Sequence, residues 1–493
     1  MTERRRPQAS GQQFECQDWQ LTTTTIATGG RMVALQGDLS ITLPLQSIEI
    51  LSHGRAPRVI AVQVSMDARD WATKFIARTD RLTVDLHNAS TRYVRLISDC
   101  RDDTAEARSF EAPQSFFQAL GIERVSLVSG RGVLAIPAPE WSEALPQGQG
   151  WTGGDGIYSF DLAALDDRSR VAFVFGDSFI GCVDPTTRQL HHDVMINNCM
   201  AVLDGHAPEA AKFRFFYPRQ PNQTPVSLFT PDEQLGLRKD AYFWMQDGVL
   251  IGAQLHFLPL IVVPNPQGRE GFEFAFEGTV HLTVGFNDGQ VNLDSVTQAL
   301  APMRYRAGNG RETIFASAYL RRANYPQEDE MLYAYGVQSW ETHRPVAARV
   351  IAKDFARFDR WTYWDGRDWV ADPKAAVPIA PAVSSEFSVS YCDAGFYAGQ
   401  YVLIWQQWGP GGKLAMYTAD QPEGPFESHT ELYYPHEAEN SGTIYVYNAK
   451  AHLPISAAGE LLVSYNVNTT SWAEHETNAD IYHPRFVRLI QLQ

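Results

Sequence analysis

The chain has 493 residues, with 41 Lys+Arg against 57 Asp+Glu and a formal charge of −16. Such an excess of acid argues against a nucleic-acid partner, because phosphate backbones are gripped by clustered lysines and arginines. With 44% hydrophobic and 20% charged residues, the chain can bury a large core; general disorder is excluded, and the length predicts more than one domain.

Residues 1–14 carry Arg4, Arg5 and Arg6 without the apolar run that a secretory signal needs, and are expected to be disordered. The chain has no stretch of about 18 uninterrupted apolar residues, so a soluble protein without a membrane partner is expected. The five cysteines, Cys16, Cys100, Cys182, Cys199 and Cys392, are odd in number and show no CxxC spacing. That usage fits a reducing compartment, with the cytoplasm as the expected location unless a leader is missing, and leaves open one bridge, Cys16 to Cys100.

Few windows repeat apolar residues at helical spacing over ten positions. Short runs rich in Val, Ile, Phe, Tyr and Trp, punctuated by Gly, Pro, Asn and Asp, predict an all-β chain instead. Residues 15–125 read as a small sandwich, with strands near 39–43, 59–65, 82–86 and 93–97. Within it, "VQVSMDARDW" (62–71) and "TRYVRLI" (91–97) resemble the discoidin-type galactose-binding modules, a resemblance that covers about 100 residues. It implies a sugar-binding module; the plain alternative is a packing domain with no ligand. Residues 126–150 read as a linker or as a strand that closes the C-terminal domain, supplied by "RVSLVSG" or "GVLAIPA".

From 151 to 493, strand groups recur roughly every 60–90 residues. They begin at Ile157 ("IYSFDL"), Ala241 ("AYFWMQDGVLIG"), Thr313 ("TIFASAYL"), Ser384 ("SSEFSVSY") and Ile444 ("IYVYNAKAHL"). Five groups predict a five-bladed β-propeller, whose innermost strands line a central channel. Ionisable residues at the start of those strands are therefore the informative ones: Asp155, Asp240, Glu386, and Lys450 with His452. A carboxylate at the head of an apolar strand is costly unless its charge is used or paired. The plainer alternative is that each acid caps a turn or pairs with an arginine.

Two carboxyls facing across a cavity are what glycosidic cleavage needs, one to protonate the leaving oxygen and the other to activate water or attack the sugar. On this pattern Asp155 is expected as base or nucleophile, Glu386 as acid and Asp240 as modulator. The blade pattern over 150–493 resembles the five-bladed glycoside hydrolases, the group of arabinanases, β-xylosidases, invertases and related mannoside phosphorylases. In those families an Asp on the first blade and a Glu on a later one form the catalytic pair, with a second Asp between. The segments "FGDSFIG" (175–181), "YNAKAH" (447–452) and "LLVSYN" (461–466) are also similar to bacterial propeller families with a first-blade Gly-Asp-Ser/Thr. That likeness adds Asp177 as a candidate, or as a hairpin cap.

The resemblance implies an oligo- or polysaccharide substrate, arabinan-like or another furanoside or pyranoside, and no cofactor. Asp177, Asn448, Lys450 and His452 are expected to bind it, with Trp151 and Trp244 stacking on sugar rings. Trp340, Trp405 and Trp408 also fall near strand ends, although propeller cores bury many aromatics. A phosphorylase would need cations, and Arg238, Lys239 and Lys450 are the candidates. His191 and His192 are adjacent, point to opposite sides of a strand and make a poor metal pair. No metal site is expected from local motifs, while a single structural ion in the channel is compatible with the pattern. A non-catalytic carbohydrate-binding propeller is the alternative reading. A lesser one starts from "GDSF" (176–179), "GFND" (285–288) and "DIYH" (480–483), which resemble the blocks of GDSL-type esterases and imply a triad of Ser178, Asp480 and His483. That fold needs a helix directly after the serine, and "IGCVDPTTRQLHHD" has a proline and no helical period.

Overall fold

The computed structural model describes residues 13–14, 16, 19–25, 31–52, 58–75, 81–101, 112–165, 168–269, 272–306, 310–322, 326–339, 342–407, 412–438 and 442–492. Residues 1–12, Trp340 and Trp408 lie outside these. The described chain is all-β with three short α-helices, and no described helix is long and apolar enough to cross a membrane. It divides into two compact units: residues 1–137 with 431–436 and 488–493, and residues 138–430 with 437–487.

In the first unit two long strands, Arg31–Ser52 and Arg81–Arg101, pair antiparallel over most of their length. Their register breaks between Asp38 and Leu43, where Ser40 takes a left-handed φ of 58°. A bend of this kind lets one strand serve two layers. The first half of Arg31–Ser52 pairs with Trp19–Thr25, the second half with Ile122–Ser129. Inward residues such as Leu35, Leu43, Leu45, Ile48, Val62, Val94 and Leu96 share one apolar core. The discoidin-like pieces do meet: Val59–Ser65 pairs with the 93–98 stretch, and the Arg95 guanidinium sits 3.8 Å from the centre of the Trp71 ring. Gln13–Phe14, expected to be disordered, pairs with Ile122–Ser129 instead. Cys16 and Cys100 are not joined to each other, so the disulfide left open by the sequence is not formed.

The second unit carries five successive antiparallel sheets. The first holds Tyr158–Asp161, Arg170–Phe175, Cys199–Asp204 and Phe213–Phe216. The second is built on Gly248–Ile251, Gln254–Phe257 and Phe272–Asn287, the third on Glu312–Arg321, Met331–Ser339 and His343–Ile351. Ser388–Cys392, Gln400–Gln406 and Leu414–Ala419 form the fourth; Ile444–Ala451 and Glu460–Thr469 the fifth.

Each sheet is buried on both faces, which is why its strands read as apolar runs rather than as alternations. Val171, Phe173 and Phe175 pack with Phe486 and with Leu462 of the fifth sheet, while Ala172 and Val174 on the opposite face pack with Phe257 and Val280 of the second. Val249 and Ile251 meet Phe315 and Leu332 of the third, and Ala318 and Tyr335 meet Val389 and Leu403 of the fourth. The backbone N–H of Ala451 donates to Ser388 Oγ at 2.8 Å, joining fourth to fifth. The ring of contacts closes, and the unit is a five-bladed β-propeller.

Two expectations about strands need correction. The run "VAFVFGDSFIG" (171–181), which reads along the chain as one strand, breaks at Gly176–Asp177. Arg170–Phe175 stays in the first blade, whereas Ser178–Val183 forms a separate three-stranded sheet with Gln149–Gly154 and Leu190–Ile196. The backbone N–H groups of Asp155 and Gly176 bond across this break to the carbonyls of Asp177 and Asp155, at 3.1 and 2.8 Å, which supplies the alternative pairing. Likewise "AYFWMQDGVLIG" is two strands, Tyr242–Trp244 and Gly248–Ile251, divided at Gln246–Asp247.

Candidate active site

The first strands of all five blades bring polar side chains to the propeller axis. Asp155 immediately precedes the first blade's inner strand and is 7% exposed. Its Oδ2 accepts a hydrogen bond from Tyr447 of the fifth blade at 2.7 Å, and Tyr482 donates to it as well. Burial, then the charges of Asp177 and Glu386, push the Asp155 carboxyl up to about 8, against the two tyrosine hydroxyls. Gly176 is required here: a Cβ on it would lie 2.6 Å from Asp155 Oδ1.

Asp177, partly open to solvent, accepts from Asn197 Nδ2 at 3.1 Å, and burial raises its carboxyl to about 6.

Glu386, 2% exposed, precedes the inner strand of the fourth blade. Its Oε2 accepts from the Tyr158 hydroxyl at 2.9 Å and from the Lys450 ammonium. Lys450 also lies 4.2 Å from the centre of the Tyr158 ring, a cation–π contact. Tyr447 and Lys450 flank a register shift in the strand pairing. Within it Asn448 adopts a φ of 61°, and its buried Nδ2 has no hydrogen-bond partner. A bulge beside a site re-aims side chains, and an orphaned buried amide is a donor held ready for something absent from the protein itself.

The sequence-predicted set is otherwise sorted by burial. Asp240 is corrected: it is half exposed and bound by Arg238 at 2.7 and 2.9 Å, so its charge is spent in solvent. The acid that the second blade contributes is Asp247, seven residues further on, which sequence reasoning missed. Its carboxylate accepts from the backbone N–H groups of Gly248 and Tyr319 at 2.9 and 2.8 Å and pairs with the buried Arg321 guanidinium. The available signal was its Asp-Gly step ahead of an apolar strand, hidden by reading one strand where there are two. Tyr158, Tyr447, Tyr482 and Arg321 were missed because buried tyrosine and arginine carry no spacing rule.

His452 is wholly buried, with Nδ1 and Nε2 at 2.9 and 2.7 Å from the hydroxyls of Ser159 and Ser464, and burial presses its pKa down to about 3. It clasps the fifth blade to the first instead of facing a ligand. Trp151 is corrected too: 1% exposed, it stacks on Phe215 with centroids 4.8 Å apart, and its indole N–H goes to Ser178. Trp405 is buried and stacks flat on Tyr417; Trp244 remains half-buried, edge-on to Phe274. The esterase triad is not assembled. Ser178 is buried at the start of a strand, receives a hydrogen bond from Trp151 and donates to the Gly176 carbonyl, while Asp480 pairs with Arg188. Buried His483 bonds to the backbone of Leu145 and has no hydrogen-bond partner at Nε2. Among the described residues no group of three or more His, Cys, Asp or Glu is placed to hold a metal ion.

A five-bladed propeller with buried carboxyls, a lysine and tyrosines gathered on its axis is the class defined by this fold and site. The chain belongs to the family described as "Domain of unknown function (DUF5005)", which matches residues 140–492. No curated protein matches the sequence. Among solved structures, a candidate hydrolase from Bacteroides ovatus is 19% identical, with a TM-score of 0.56, covering 72% of this chain and 90% of that one. The α-L-arabinofuranosidase of Podospora anserina, solved with cellotriose, is 8% identical with a TM-score of 0.36, covering 71% and 99%. An α-L-arabinofuranosidase catalytic domain from Coprinopsis cinerea is 9% identical with a TM-score of 0.37, covering 70% and 98%.

Proposed function

We propose that the protein is a glycoside hydrolase that splits a glycosidic bond of an oligo- or polysaccharide with Asp155 and Glu386. The observation that carries this reading is the pairing of two buried carboxyls from different blades that feel each other's charge, one facing carboxylates and the other facing a lysine. Carboxyls set in contrasting surroundings are how one site holds a proton donor and a proton acceptor at the same pH. Asp247 would fix the third blade against the site through Arg321. The unpartnered amide of Asn448 supports a hydroxyl-rich ligand. An arabinan-like polymer is the first substrate to try.

The test is a screen of the purified chain against arabinan, xylan, fructan and mannan oligosaccharides with product analysis. Release of reducing ends from one class is expected. Binding of these sugars without turnover would replace the reading with that of a carbohydrate-binding propeller.

A further inference from the structure

We infer that the far end of the propeller axis carries a second saccharide site, which binds a mono- or disaccharide and takes no part in cleaving it. The inference holds whether or not the protein is a hydrolase.

Asp155 and Glu386 stand ahead of the inner strands of the first and fourth blades. Asp161 ends the first of these strands and Tyr391 lies near the end of the other, six and five residues further on, or about 16–20 Å along extended chain. Among the described residues a cavity of about 330 Å³ lies there. Asp161, Arg321 and Arg322 at the end of the third blade's inner strand, Tyr391 and Asp393 of the fourth blade and Leu453 beyond the fifth border it. Arg322 also borders an adjoining cavity of about 280 Å³ together with Val249 of the second blade, so all five blades reach this end. Sites for drug-sized ligands span about 300–1,000 Å³, and the smaller end of that range suits one or two sugar units. A sugar held here cannot touch Asp155 or Glu386 at the same time.

The donors are fixed in advance. The Arg322 guanidinium lies 5.3 Å from the centre of the Tyr391 ring, and its Nη2 donates to the Tyr401 hydroxyl at 3.3 Å. The Tyr391 and Tyr401 rings are themselves packed with centroids 4.8 Å apart. Deeper in, Arg321 is anchored by Asp247 and lies over the Phe160 ring at 4.6 Å. Groups already ordered lose little freedom when a ligand arrives.

The charges select the class of ligand. Two guanidiniums face two carboxylates, those of Asp161 and Asp393, so the walls carry no net charge. An anion or a cation would bring an unmatched charge, which is costly to desolvate. A sugar hydroxyl can donate to a carboxylate and accept from a guanidinium at once. Tyr391, Leu453 and Pro454 supply apolar surface for the C–H face of the ring.

Isothermal titration calorimetry of the full chain tests this, with Asp155→Asn as host so that turnover does not consume the probes. The probes are L-arabinose, D-xylose, D-mannose, D-fructose, arabinobiose and xylobiose. At least one is expected to bind, about tenfold or more weakly when Arg322→Ala or Asp393→Ala is added, and not at all when Ala394→Trp fills the cavity. All three positions are exposed, so the thermal midpoint is expected to stay at that of the host. Binding that the three substitutions leave unchanged lies elsewhere and overturns the inference, as does a panel in which no sugar binds. Glycine or inorganic phosphate binding at these residues where the sugars do not overturns the saccharide assignment.

Discussion

Lys450 and Glu386 form an ion pair whose side chains are 1% and 3% exposed, deep in the axis of the propeller. Burying two charges gains little over an apolar pair, but deleting one partner strands the other in a medium that solvates it poorly. Lys450→Met is therefore expected to lower unfolding stability by about 3–5 kcal/mol, and Lys450→Met with Glu386→Leu to recover part of that loss. Urea unfolding of wild type, single and double variants measures it; an additive double variant would show that the two groups are not coupled.

Asp155→Asn and Glu386→Gln are each expected to reduce turnover on the responsive oligosaccharide by about 10²–10⁴, the usual weight of one proton-transfer group. Both are near-isosteric, so the thermal midpoint should stay close to that of the wild type. Full activity in either variant takes that residue out of the proposed chemistry.

The raised carboxyl of Asp155 has a stability consequence of definite sign. A group whose folded pKa lies above its unfolded value stabilises the fold below the unfolded value and loses that contribution as pH climbs to the folded one. With about 8 in the fold against 3.8 unfolded, the wild type should lose stability relative to Asp155→Asn between about pH 4 and pH 8. Chemical denaturation of the two proteins across that range checks it, and parallel curves would mean that Asp155 is ionised throughout.

His256 and His281 stack with Nδ1 and Nε2 at 3.0 Å, and burial presses their pKa values down to about 3 and about 4. Depressed histidines act in the other direction: the unfolded chain takes up protons below about 6.5 and the fold does not, so stability falls with acid. His281→Gln should flatten the loss between pH 6.5 and pH 4, by an amount on the order of 1–3 kcal/mol. Thermal melts at stepped pH read this out.

Gly176→Ala is expected to lower kcat/KM at least about tenfold while leaving circular dichroism unchanged. The added Cβ would stand 2.6 Å from Asp155 Oδ1, and a displacement of about 1 Å at a reacting group costs rate out of proportion to stability. An unimpaired enzyme would mean that Asp155 tolerates the shift and does not act from the observed position.

Much of this protein could be read before any coordinate. Apolar runs such as "VAFVF" and "YVLIW", spaced by glycine and aspartate, announce strands buried on both faces, and five such groups announce five blades. Asp155 and Glu386 stood out because a carboxyl at the head of an apolar strand is expensive, a property of the residue and its immediate neighbours. Local composition and period determine these features, so the sequence suffices for them.

Which carboxyl meets which partner was decided only by folding. Asp240 and Asp247 look alike along the chain, yet one faces solvent beside Arg238 and the other is sealed against Arg321. Lys450 reaches Glu386, and Tyr447 reaches Asp155, across blade boundaries that no sequence spacing encodes. Charge, burial and hydrogen bonding set protonation through distances of a few ångströms in space, and residues far apart in the chain acquire those distances only when the blades close.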